Sequence, residues 1–61
     1  MNRATAVELL PAMHAVAVRL RDSGAPDAVI ATALGIDDEQ VTTQLGLADA
    51  KLANLMAREP G

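Results

Sequence analysis

Sixty-one residues with no cysteine, phenylalanine, tyrosine or tryptophan, and a net charge of −3, make one small domain with an aliphatic core. Disulfides and thiolate metal sites are excluded, and so are aromatic platforms for stacking bases or caging a cation. The acidic balance counts against a grip on DNA or on an anionic membrane.

Taken in chain order, Thr5-Ala6-Val7-Glu8 reads as a capping box, with Thr5 as the N-cap and Glu8 three residues on. Pro11 interrupts soon after, so residues 5–10 are expected as a short helical arm; a single kinked helix over 5–23 is the alternative. From Pro11 to Ser23, Met13, Val16, Ala17 and Leu20 follow the i, i+3, i+4, i+7 rule and predict the first full helix. His14 is expected at the surface, with Arg19 and Arg21 as solvated charges. Gly24 suits the position just past that helix.

Pro26 opens a second helix, Asp27 stands in its first turn, and Gly35 ends it after Leu34. Asp37 is an N-cap with Gln40 as its capping-box partner. Val41, Leu45, Ala48, Leu52 and Leu55 then step by four, three, four and three, one seam of a third helix over 38–57 despite Gly46. The expected fold is all-α: an arm at 1–10, a three-helix domain at 11–57 and a frayed end at 58–61. Its core is expected to hold Met13, Val16, Leu20, Ile30, Ala31, Leu34, Ile36, Val41, Leu45, Ala48 and Leu52.

The segment from Ala25 through Asp37, continued by Val41 and Leu45, resembles the helix-turn-helix of LuxR-type regulators and of sigma-factor region four. The likeness runs from Leu10-Pro11 to Ala48, Lys51 and Leu52. It implies a bacterial transcription-regulator setting and a third helix that enters the major groove. On that reading Gln40, Thr42, Thr43, Gln44 and Lys51 contact DNA. Those families carry Lys or Arg near the positions of Thr42, Thr43, Leu47, Asp49 and Ala50, and this chain does not. It places Asp37, Asp38 and Glu39 at the start of the helix instead, where they repel phosphate.

The leading expectation is therefore a non-enzymatic helix-turn-helix protein acting by protein–protein contact or homodimerisation. Sequence-specific DNA binding through the third helix is the alternative. Val7, Leu9, Leu10, Val18, Leu47 and Leu55 are the expected partner interface: a three-helix module cannot bury all of the first four, and Leu47 lies on the outer side of the third helix. Nothing in the chain resembles a nucleophile–base–acid set, a phosphate loop or a metal cluster, so no catalytic residue, metal ligand or cofactor is expected. No apolar run approaches the roughly 20 residues that cross a bilayer, and the first residues do not read as a signal peptide, so a cytoplasmic location is expected.

Overall fold

The computed structural model describes residues 1–58. Residues 59–61 lie outside it, and with them most of the expected frayed end. The described residues form four helices and no strand: α1 (Arg3–Glu8), α2 (Ala12–Asp22), α3 (Asp27–Leu34) and α4 (Asp38–Ala57). The chain is all-α, as its sequence leads one to expect.

The boundaries follow from local chemistry. α1 is capped by Asn2, whose side-chain oxygen accepts from the Thr5 backbone N–H at 2.8 Å. The expected cap at Thr5 is thus three residues late: Thr5 lies inside the helix. Pro11 stands as the N-cap of α2 and Pro26 as that of α3, each just outside the position where its missing N–H would matter. Both α2 and α3 end in the same way. Gly24 and Gly35 adopt left-handed φ values of 90° and 70°. Ala25 N–H returns to the Leu20 carbonyl at 3.0 Å and Ile36 N–H to the Ala31 carbonyl at 3.0 Å, the six-residue closure of a Schellman motif. Asp37 caps α4, and its backbone N–H donates to Gln40 Oε1 at 3.1 Å. α4 runs unbroken through Gly46.

Packing is organised around α4, which touches each of the other three helices. Two apolar clusters lie along it. One joins Ala6, Val7 and Leu10 to Ala15 and Val18 of α2 and to Ala48 and Leu52, with Leu55 at its edge. The other joins Ala17, Ile30, Ala31 and Val41, flanked by Leu20, Leu34, Ile36 and Leu45. The N-terminal segment is therefore part of the core rather than an arm. Arg3 fastens it further, its Nη1 lying 2.6 Å from Asp22 Oδ2 at the end of α2.

This docking decides which side of α2 faces inward. Met13 and Val16, expected in the core, are 43% and 40% exposed. At 100° per residue they lie on the opposite side of α2 from Val18. The α2 sequence carries two apolar stripes, and α1 selects the one containing Ala15 and Val18. Leu20, Leu34, Ile36 and Leu45 are half-buried rather than buried, whereas Ile30, Ala31, Val41, Ala48 and Leu52 are buried as expected.

Ile30→Ala should cost about 2–5 kcal/mol in a urea or thermal melt, while Met13→Ala and Val16→Ala should stay within about 0.5 kcal/mol of the parent. Gly46 has open space around its would-be Cβ. Gly46→Ala should therefore stabilise the chain by about 0.5–1 kcal/mol, read as a higher melting temperature.

Candidate protein interface on the long helix

α4 holds every residue expected to contact DNA. Its first turn carries Asp38 and Glu39, both exposed, after the Asp37 cap. Anions at a helix N-terminus are favoured by the aligned backbone dipoles. Thr42 and Thr43 are exposed, as is Lys51.

The two glutamines are exposed or half-buried but already engaged. Gln40 Oε1 closes the capping box. Gln44 Oε1 lies 3.3 Å from His14 Nε2, across the α2–α4 contact. A glutamine reads adenine by offering an acceptor and a donor together, and here both acceptor oxygens have partners within the chain.

His14 was expected at the surface and is only 9% exposed. It stands on the same stripe of α2 as Ala15 and Val18, which α1 and α4 cover. Its Nε2 meets Gln44, while Nδ1 is buried with no hydrogen-bond partner among the described residues. The sequence signal for this was present in the second apolar stripe of α2, but the absence of a visible partner for α1 hid it.

The expected partner interface divides into two groups. Val7, Leu10 and Val18 are buried inside the monomer, because α1 folds back on α2 and α4 and uses them as core. Leu9, at 57% exposed, and Leu47, at 48%, stay on the surface, and Leu55 is half-buried. Beside them lies an open groove of about 250 Å³ between the α1–α2 corner and the second half of α4. It is lined by Leu9, Leu10, Pro11, Lys51, Asn54, Leu55 and Arg58.

On the other flank, Arg21 and Asp49 form a two-pronged pair, with Nη1–Oδ2 and Nη2–Oδ1 both at 2.8 Å. The hydrogen bonds from Arg21 hold the Asp49 carboxyl below its ordinary value of 3.8, against a smaller opposing effect of desolvation. The same hydrogen bonds raise the Arg21 pKa. Sequence reading treats Arg21 as a solvated charge because its partner is 28 residues away. Asp49 is thereby committed to the fold, and Arg3 to Asp22, whereas Lys51 and Arg58 have no carboxylate partner among the described residues.

Among the described residues no three His, Cys, Asp or Glu side chains are grouped to hold a metal ion. No helix among them is long and apolar enough to cross a membrane. Compared with protein-family models, curated proteins and solved structures, the chain matches none.

The Arg21–Asp49 pair gives stability a defined pH dependence. The folded state lowers the Asp49 pKa, so the contribution of the pair is present above the unfolded value and is lost as pH falls through the folded value. Asp49→Asn should remove part of the acid limb of a stability–pH curve. With both side chains partly in solvent, a double-mutant cycle with Arg21→Gln at neutral pH should give a coupling of about 0.2–1 kcal/mol. A flat cycle with an unchanged acid limb would show that the pair contributes nothing.

Proposed function

We propose that this chain is a non-enzymatic helix-turn-helix protein that works by protein–protein contact in bacterial transcription regulation. The support for the motif is the pairing of α3 and α4 across Gly35, Ile36 and Asp37, together with the resemblance of Ala25–Asp37 to LuxR-type regulators and sigma-factor region four. That resemblance is also the support for the transcriptional setting, since a fold alone fixes no function.

The observation that carries the contact reading is the chemistry of α4. In the DNA-binding use of the motif, the start of the second helix faces phosphate and its glutamines read bases. Here the start carries Asp37, Asp38 and Glu39, and the oxygens of Gln40 and Gln44 serve Asp37 and His14. Of the five cations, Arg3 and Arg21 are engaged in ion pairs. Little charge is left for counterion release, the main source of sequence-independent affinity. Exposed Leu47 and Leu9, beside a groove, suit contact with protein.

The second reading is DNA recognition through Thr42, Thr43 and the free amide nitrogens of Gln40 and Gln44, with Lys51 on phosphate. It is favoured by the exposure of Thr42 and Thr43 on the first half of α4. Single-ended contacts of this kind fall below the roughly 1–3 kcal/mol of a bidentate pair, which is too little for the 10⁻⁸ M or tighter binding typical of specific complexes.

A titration of labelled duplex DNA at low salt tests the choice. No binding to random duplex is expected at physiological salt. Changing Asp38 and Glu39 to Lys together should create weak binding that disappears steeply with added salt. A nanomolar complex of the unaltered chain with a defined operator, lost in Gln40→Ala with Thr43→Ala, would establish the DNA reading instead.

A further inference from the structure

The outer face of α4 is polar around one exposed apolar side chain, Leu47. Gln40, Thr43, Leu47, Lys51, Asn54 and Arg58 are all exposed. At 100° per residue they lie within about 40° of Leu47 around the axis. Their spacing about Leu47 is −7, −4, 0, +4, +7 and +11, the ordinary repeat of one helix face. An apolar side chain stands at its centre, with a side-chain amide seven residues to each side and Lys51 and Arg58 towards the C-terminal end; Asp37 and Glu39 flank its N-terminal end, about 80° to either side, and Asp38 points away.

From this pattern we infer that α4 is a self-association face, which docks antiparallel against α4 of a second copy about a two-fold axis at Leu47. The inference rests on the protein-contact reading above and names its partner. In that arrangement Leu47 meets Leu47 of the second copy. Gln40 faces Asn54 of the other chain, where its free amide nitrogen can donate to the Asn54 oxygen. Thr43 faces Lys51, and Arg58 falls beside Asp37, so the charges that repel in a parallel pairing attract twice in this one. The backbone dipoles of the two helices also run in opposite directions. The groove flanked by Leu9 receives the first half of the partner helix, which covers the 57% exposed Leu9 and the 48% exposed Leu47 together. An isologous contact of this kind closes at two copies.

One helix pair is a small interface by the standard of stable complexes, so the dimer is weak and is sought at up to about 1 mM chain. Sedimentation equilibrium should show the mass rising with concentration from 6.3 kDa towards twice that value. In a ¹⁵N dilution series the amide shifts should concentrate on Gln40, Thr43, Leu47, Lys51 and Asn54. Leu47→Asp, an exposed substitution whose fold is checked by circular dichroism, should weaken dimerisation about 30-fold or more, as for a central contact. Arg58→Glu should weaken it about fivefold.

A mass fixed at the monomer value up to about 1 mM overturns the inference. So does a dimer indifferent to Leu47→Asp, or one broken by Met13→Asp, which would place the contact on α2. A monomer that also ignores DNA removes the self-association face and leaves the protein-contact reading standing. A nanomolar operator complex removes the reading itself.

Discussion

Three helices close on one stripe of a fourth, and the rest of the structure depends on that shared stripe. Val41 of α4 is buried in one apolar cluster, and Ala48 and Leu52 are buried in the other. α3 reaches the first half of the stripe and α1 the second, while α2 follows it throughout. The constraint is geometric. α4 extends about 30 Å at 1.5 Å per residue, most of the 38 Å long axis of the molecule, so two short helices can sit on it end to end without competing. A break at Gly46 would separate the clusters, and the uninterrupted helix keeps them in register.

The core that results is thin. Ile30, Val18 and Val41 are its largest fully buried side chains. Alanines supply much of the remainder: Ala6, Ala15, Ala17, Ala31 and Ala48. A methyl side chain lets two helix backbones approach closely but removes little apolar area from water. That is the physical reason why Leu20, Leu34, Ile36 and Leu45 remain half-buried: close helices leave no deep space for a large residue. In so small a chain, with total stability of about 5 kcal/mol, the ion pairs at the rim matter more for position than for energy. Arg3–Asp22 holds the start of α1 to the end of α2, and Arg21–Asp49 fixes α2 against α4.

What the sequence makes legible follows from the same physics. Glycine at a left-handed position, proline before a helix and the Asp37–Gln40 box are local rules, and the ends of α2, α3 and α4 stand within a residue of where those rules put them. The seam of α4 is legible because it is long and single. The inward side of α2 is not, because Met13–Val16–Leu20 and His14–Ala15–Val18 are both plausible stripes, and the choice depends on α1. A six-residue helix gives little periodicity by which to recognise its own buried side. The burial of Val7, Leu10, Val18 and His14 is thus a tertiary outcome, as is the contact of Gln44 with His14.

The charges of α4 have a sufficient explanation within one chain. Acids in the first turn and Arg58 at the C-cap both suit the helix dipole, and Asp49 has its partner in Arg21. Leu47 has no such explanation. It is half exposed in the middle of the helix, roughly 120° around the axis from Val41, with a polar residue at each neighbouring position of its face. Replacing it by a polar side chain would remove nothing from either cluster. A single exposed leucine is ordinary on a protein surface. One at the midpoint of a face whose polar ends are complementary is the feature that distinguishes an interface from a solvated helix, because apolar area contributes to affinity only where charge and shape let a second surface reach it.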